Sequence, residues 1–66
     1  MHKISTQLRA ARERALLTQE ELTARAEVQP LTISRIETDQ VEPRYSTIRK
    51  VARALGVDSA ELLPKE

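Results

Sequence analysis

The chain contains no cysteine, phenylalanine or tryptophan, and only one glycine, one tyrosine and one histidine among its 66 residues. Without cysteine, neither a disulfide framework nor a cysteine-ligated zinc site can form. Since aromatic residues are almost absent, the core must be built from Leu, Ile, Val and Ala. A chain this short buries only roughly 60% of its unfolded surface, and without disulfides or a metal it often gains stability from a partner subunit. We therefore expect a homodimer.

Long hydrophobic runs are missing as well. No stretch approaches the length of a membrane span, and the polar start Met1-His2-Lys3 is unlike a signal peptide. We expect a cytoplasmic protein with no membrane contact. The groups used in catalysis are also scarce, because His2 is the only histidine and we find no nucleophile beside a base. Neither an enzyme, a metal site nor a cofactor is predicted.

The formal net charge is only +1, but the charges stand in blocks. Four blocks of alternating sign follow one another: a net +3 in 1–18, −4 in 19–42, +4 in 43–57 and −2 in 58–66. Phosphate binding needs a local basic cluster rather than a basic average. Arg44, with Arg49 or Lys50, can therefore flank a nucleic-acid groove while the acids face away. For Arg14 and Arg53 we favour simple solvation of an exposed helix face.

Apolar residues recur at helical spacing, and no segment alternates convincingly as a strand. This pattern predicts an all-α fold with five helices, at about Ser5–Ala15, Thr18–Ala26, Pro30–Glu37, Tyr45–Leu55 and Ser59–Leu63. The inner faces of the first and fourth helices are predicted to hold Ile4, Leu8, Ala11 and Ala15, and Ile48, Val51, Ala52 and Leu55. Gly56 is expected to end the fourth helix in a left-handed conformation, with Val57 as the accompanying apolar contact.

The second predicted helix has clear local signals. Thr18 is a good N-cap, and Glu20 and Glu21 place negative charge at the positive end of the helix dipole. Leu22 and Ala26, four residues apart, form a narrow apolar stripe that requires a neighbour.

The third predicted helix follows after a tight turn. Pro30 suits its first turn, because the fixed φ of proline fits there and the missing N–H would have no partner. The buried side is predicted to hold Val28, Ile33 and Ile36. The other side is mostly small or hydrogen-bonding: Gln29, Leu31, Thr32, Ser34 and Arg35. It carries no acid before Glu37, so it can approach polyanionic DNA.

From about Ile4 to Leu63, this pattern resembles the helix-turn-helix family of Cro and lambda-type repressors, often called the Xre family. The resemblance is carried by Leu8 and Arg12, Leu17-Thr18-Gln19-Glu20-Glu21-Leu22, Ile33-Ser34-Arg35-Ile36-Glu37 and Ala54-Leu55-Gly56-Val57. It implies that residues 1–66 form a single domain, a compact five-helix bundle of the lambda-repressor-like DNA-binding type. The helix-turn-helix would lie at about 18–37.

The resemblance also implies a function, namely a sequence-specific transcriptional regulator that binds double-stranded DNA, with repression as the favoured role. A homodimer would place its two third helices in successive major grooves of a near-palindromic operator, about 34 Å apart. Val57, Leu62 and Leu63 are candidates for the dimer surface, because a short terminal helix can hardly bury both leucines alone.

Residue roles follow from the same resemblance. The resemblance assigns base readout to Gln29, Pro30, Leu31, Ser34 and Arg35. It assigns phosphate contacts to Thr18, Gln19, Thr32, Gln40, Arg44 and Tyr45. Arg35 can make a bidentate contact with guanine and Leu31 can pack on a thymine methyl, each worth about 1 to 3 kcal/mol in discrimination. The alternatives are a salt bridge from Arg35 to Asp39 or Glu42, and a Gln19 that merely faces solvent.

The family often pairs an arginine of the first helix with the glutamate that ends the third, here Arg12 and Glu37. Such a pair would fix how the recognition helix sits, so we expect Arg12 to be structural rather than a DNA reader. Glu27 and Asp39 stand where glycine is usual. Glu27 therefore either accepts a left-handed conformation, at a cost of roughly 1 kcal/mol, or the turn is rearranged.

Two further departures leave the function open to alternatives. Pro30 and Leu31 stand where polar base readers are commoner, so readout relies either on methyl contacts and DNA shape, or the site has drifted away from specific DNA binding. The alternative function is a protein-interaction module, an antitoxin-like partner or an adaptor. Another possibility is that these residues are the DNA-binding part of a longer chain with a C-terminal sensing domain.

Overall fold

The computed structural model describes residues 3–63, which form an all-helical fold. Its four α-helices are α1 (Ile4–Arg14), α2 (Gln19–Ala26), α3 (Thr32–Glu37) and α4 (Tyr45–Leu55), and a single 3₁₀ turn follows at Ser59–Glu61. None of these helices is long and apolar enough to cross a membrane. His2, considered above as a catalytic group, lies outside the described residues.

The all-α prediction is confirmed, but the fifth α-helix predicted at Ser59–Leu63 is only the 3₁₀ turn. Its hydrogen bonds join residues three apart, as from the Leu62 N–H to Ser59 O at 3.0 Å. Glu61 accepts from the Asp58 N–H through its side chain at 3.3 Å. The segment is therefore closed after one turn, without the bonds between residues four apart that define an α-helix.

One hydrophobic core joins these elements. α1 packs against α3, α2 packs against α3 and α4, and the 3₁₀ turn packs against α4. As the scarcity of aromatic residues required, the core is aliphatic: Leu8, Ala11, Leu17, Leu22, Ala26, Ile33, Ile36, Ile48, Val51, Ala52 and Leu62. Ala15, predicted on the inner face of α1, is instead exposed, because it lies beyond the helix as its C-cap.

Leu62 requires a correction to the predicted dimer surface. It is only 2% exposed and belongs to the core of a single chain, so it is not available to a partner. The 3₁₀ turn can bury it because that turn packs directly on α4. Leu63 and Val57 pack against the edge of the core and are half-buried.

The ends of α2 and α4 follow their local sequence signals. The Thr18 hydroxyl accepts from the Glu21 N–H at 3.0 Å, and the Glu21 carboxylate accepts from the Thr18 N–H at 2.8 Å. This capping box pairs two backbone donors of the first turn, and the hydrogen bond from the Thr18 backbone is the main cause that lowers the pKa of Glu21. At the end of α4, Gly56 has a φ of 73° and the Val57 N–H donates to Ala52 O at 3.0 Å.

The turn before α3 differs from the prediction, because Pro30 does not start the helix. The Thr32 N–H donates to Gln29 O at 3.1 Å and closes a four-residue turn with Pro30 and Leu31 at its centre. Leu31 has φ 74° and ψ −8°, the angles of the third residue of a type II turn. A left-handed residue cannot belong to a right-handed helix, so α3 begins at Thr32. Proline suits the second position of such a turn because its φ is fixed near −65°.

Within residues 3–63, four residues other than glycine have a positive φ: Leu16 (59°), Glu27 (56°), Leu31 (74°) and Asp39 (61°). Glu27 thus accepts the left-handed conformation as the C-cap of α2, which decides between the two alternatives that the sequence left open. A residue with a Cβ adopts this conformation at a cost of roughly 1 to 2 kcal/mol. Leu16 is 88% exposed, so burial does not offset the cost there.

The side chain of Glu37 is fully buried, and it receives hydrogen bonds from α1 and α2. Arg12 Nε lies 2.7 Å from Oε2, and Arg12 Nη2 lies 3.0 Å from Oε1. Gln19 Nε2 donates to Oε1 at 3.0 Å, and Arg9 Nε lies 3.4 Å from the same atom. Arg12 Nη1 also donates to Leu17 O at 2.8 Å. One carboxylate at the end of α3 therefore links three helices.

Opposing effects set the pKa of Glu37. Burial raises it, because a charged carboxylate is poorly solvated in the core, whereas the hydrogen bonds from Arg12, Gln19 and Arg9 and the charge of Arg12 lower it. The lowering effects prevail, so the pKa of Glu37 lies below its ordinary value. The hydrogen bond to Glu37 is the main cause that raises the pKa of Arg12. Both members are therefore charged at neutral pH.

We predict that Leu16→Gly raises the free energy of unfolding by about 1 kcal/mol, because glycine adopts the left-handed conformation without a steric cost. The removed side chain is exposed, so little burial is lost. The control is Ala15→Gly at the neighbouring residue, whose φ is −83°; there we expect a decrease of about 0.5 to 1 kcal/mol. Urea unfolding measures both variants, and equal destabilisation by the two would contradict strain at Leu16.

We predict that Glu37→Gln lowers the free energy of unfolding at pH 7 by about 3 kcal/mol, since it breaks a buried ion pair. In acid, the free energy of unfolding of this variant should also depend less on pH than that of the wild type. Because folding lowers the pKa of Glu37, its contribution is present above the ordinary value of 4.5 and is lost as the pH falls through the folded-state pKa. Glu21 should preserve part of the acid dependence in the variant.

The measurement is the free energy of unfolding in urea from neutral pH to about pH 3. Glu42→Gln, which removes an exposed carboxylate of the loop before α4, is the control; it leaves Glu37 in place and should keep the wild-type slope. An acid slope unchanged in Glu37→Gln would show that Glu37 does not contribute to the acid dependence.

Candidate nucleic-acid interface

The residues predicted to read bases lie on the type II turn and on the outer side of α3. The exposed members are Gln29, Pro30, Leu31 and Arg35, and Ser34 is half-buried. Ser34 and Arg35 lie on α3, and Leu31 directly precedes the helix as its N-cap. Ile33 and Ile36 face the core on the opposite side, so the outward direction of Arg35 is fixed by the packing of α3.

An open groove of about 640 Å³ lies between α2 and α3. It brings residues of both helices and of the turn together: Gln19, Glu20, Thr23, Ala24, Glu27, Val28, Pro30, Leu31 and Ser34. The sequence prediction included Gln19, Pro30, Leu31 and Ser34 but missed the contribution of Thr23 and the following turn of α2. The spacing of four residues from Gln19 to Thr23 and on to Glu27 was the signal that could have indicated it.

Gln19 joins this groove to the buried network. Its Nε2 donates to Glu37, and since a carboxylate only accepts hydrogen bonds, the amide nitrogen must face inward. One N–H and the carbonyl oxygen of the same amide remain for other partners. The alternative of a side chain that only faces solvent does not describe Gln19, which is half-buried.

The other phosphate candidates on α2, α3 and the following loop have local roles. The Thr18 hydroxyl oxygen accepts from the backbone, which leaves its hydrogen for a further acceptor. Thr32 is the half-buried first residue of α3. Gln40 is exposed, and its Nε2 donates to Thr38 Oγ1 at 2.8 Å.

Basic and aromatic side chains gather at the start of α4. Arg44 is the N-cap of this helix, and Tyr45 is its first residue; both are exposed. The Arg49 guanidinium carbon lies 6.0 Å from the centre of the Tyr45 ring, within reach of a cation–π contact. Lys50 is also exposed. This part of the surface offers cations and a hydroxyl group with no acid in the first turn of α4.

Arg35 does not form the salt bridge that was the alternative to a DNA contact. Among residues 3–63 no ion pair joins it to Asp39 or Glu42, and Asp39 instead faces Lys3, whose Nζ lies 3.8 Å from its carboxylate. Arg35 therefore projects a guanidinium that has no carboxylate partner among these residues. Within the same described range, no group of three His, Cys, Asp or Glu residues is placed to hold a metal ion.

Comparison with known proteins identifies the family. Residues 8–62, which contain most of α1 and all of α2, α3 and α4, match the helix-turn-helix family. The chain is similar to y4dL of Sinorhizobium fredii (strain NBRC 101917 / NGR234), an uncharacterized HTH-type transcriptional regulator, with 43% identity over 63 residues. The alignment covers 96% of this chain and 32% of y4dL, so the chain spans about a third of that relative. From its fold, its central turn and this match, the chain belongs to the helix-turn-helix family of the Xre/Cro-like type.

Proposed function

We propose that this chain is a sequence-specific transcriptional regulator that binds double-stranded DNA with α3 and the preceding turn in the major groove. The observation that carries the proposal is the exposed face of α3, on which Arg35 has no carboxylate partner in the described part of the chain. A base reader needs such a free donor on a rigid element, and α3 is held at its end by the buried Glu37.

The proposed base contacts divide by chemistry. Arg35 presents two parallel donors that match O6 and N7 of guanine. Gln29 and Ser34 add shorter polar groups that can donate and accept. Pro30 and Leu31 have no side-chain hydrogen-bonding group, so they contribute shape and apolar contact.

Phosphate contacts would set the register of the protein on the duplex. We assign them to the N–H of Gln19 that Glu37 leaves free, to the hydroxyls of Thr18 and Thr32, and to the exposed Gln40. Arg44 and Tyr45 supply a cation and a hydroxyl at the start of α4. The acids Glu20 and Glu27 border the groove between α2 and α3, where they repel phosphate, so the backbone would approach from the sides of that groove.

We further propose that the regulator is a homodimeric repressor of a near-palindromic operator, with its two α3 helices about 34 Å apart. The aliphatic core of this small domain buries little surface, so a contact with a second subunit would add stability. Val57 and Leu63 remain as candidates for the dimer contact, because both are half-buried at the edge of the core. Repression follows physically when a dimer occupies DNA that another protein must use.

The test is selection of binding sites from a random duplex library with the wild type, Arg35→Ala and Arg14→Ala. We expect the wild type to enrich an inverted repeat. Arg35→Ala should relax one base pair in each half-site and cost about 1 to 3 kcal/mol of binding free energy. Arg14→Ala removes another exposed arginine, at the end of α1, and it should enrich the wild-type sequence.

Each result bears on a different part of the proposal. Enrichment of a single half-site would contradict the dimer while preserving DNA reading. If nothing is enriched at low salt, DNA reading is excluded, and a protein partner becomes the leading function. Binding through an apolar protein interface should change little with salt, whereas phosphate binding weakens steeply.

A further inference from the structure

Leu31 combines exposure with an unfavourable backbone conformation. It is 60% exposed, although it is large and apolar, and its φ of 74° lies in the left-handed region. This third position of a type II turn normally favours glycine or asparagine. Packing within the described chain therefore accounts poorly for a leucine here.

The backbone around Leu31 is nevertheless well fixed. The Thr32 N–H donates to Gln29 O at 3.1 Å across the turn, and the Arg35 N–H donates to Leu31 O at 2.9 Å in the first bond of α3. Pro30 restricts the preceding residue of the turn to one φ. The Leu31 side chain thus starts from a defined position, directly before the first residue of α3.

The surroundings of Leu31 select the kind of group that it can contact. Pro30, Ala24 and Val28 line the same groove and, like Leu31, carry no polar side-chain atom. Glu20 and Glu27 border the groove and disfavour a phosphate there. On the major-groove edge of DNA, the apolar group available to such a surface is the 5-methyl group of a pyrimidine.

We propose that Pro30 and Leu31 form a methyl-reading site for one 5-methylpyrimidine in each half-site. This inference rests on the proposed function. The site distinguishes thymine from uracil, and it distinguishes 5-methylcytosine from cytosine, because each pair differs at this edge by the same methyl group. The protein therefore responds to cytosine methylation at that position of its DNA site.

The experiment uses the duplex recovered by site selection, in which each thymine is replaced in turn by uracil. For the wild type we expect one position in each half-site at which uracil weakens binding about fourfold or more, the effect of losing one buried methyl-sized group. A C·G pair is then placed at that position, and its 5-methylcytosine form should bind about fourfold more tightly than the unmethylated form.

Two variants of Leu31 and one matched control assign the effect to this side chain. Leu31→Ala should lose most of the difference in binding between the thymine and uracil duplexes at that position, because only Pro30 of the site remains. Leu31→Asn should also lose this discrimination. Because asparagine tolerates the left-handed conformation, this variant should stay folded and so separates loss of the side chain from loss of the fold. Leu16→Ala makes the same change at another exposed leucine with positive φ, and it should discriminate as the wild type does.

The inference is overturned if the wild type shows no uracil effect at any thymine, if methylation of the cytosine duplex changes nothing, or if Leu31→Ala keeps the full uracil effect. In each of these cases salt-dependent, sequence-specific binding persists, so the proposed function survives. If the wild type binds no DNA at all, the proposed function fails together with this inference, and a protein ligand for the groove is the remaining explanation.

Discussion

The rest of the structure depends on the buried carboxylate of Glu37. A charge withdrawn from water is costly unless donors replace its hydration, and Arg12, Gln19 and Arg9 supply those donors. They come from α1 and α2, so a displacement of α3 against either helix would remove a donor from a fully buried charge. A buried ion pair adds little stability over good apolar packing, but it tolerates few geometries. We infer that Glu37 fixes the position of α3 more sharply than the aliphatic core alone would.

The same carboxylate influences the candidate interface through Gln19. One N–H of the Gln19 amide is already bonded to Glu37, so this side chain has little conformational freedom left to lose when DNA binds. Arg35 is the opposite case, because it is exposed and has no ion pair in the described part of the chain. Ordering such a long side chain at an interface costs about 0.5 to 1.5 kcal/mol. Two residues with a predicted DNA contact thus differ in how far the folded chain has already ordered them.

The sequence predicted the elements best where the signal is local. α2 begins and α4 ends as predicted, because the capping residues Thr18 and Gly56 act within one turn of the backbone. Pro30 was misplaced because the first turn of a helix and the second position of a type II turn require the same φ; only the φ of Leu31 distinguishes them, and leucine gives no sign of it. The burial of Leu62 was missed for another reason: it depends on how the 3₁₀ turn packs against α4, a long-range contact that periodicity does not report. For the interface, helical spacing identified the outer face of α3, while the groove requires the relative position of two helices.

The scarcity of glycine determines where the chain is strained. Its one glycine ends α4, while the other left-handed positions of the described chain are taken by Leu16, Glu27, Leu31 and Asp39. Each costs roughly 1 kcal/mol or more, in a chain whose whole free energy of unfolding should be about 3 to 10 kcal/mol. Aspartate tolerates this region better than most residues, but Leu16 and Leu31 are mostly exposed and gain little burial. Exposure and strain alone do not mark a binding site, since Leu16 has both without lining the groove. Leu31 differs because it lines the groove together with residues of α2. A ligand that binds only the folded chain stabilises it by mass action, so under the proposed function this marginally stable chain should be most stable when it is bound to DNA.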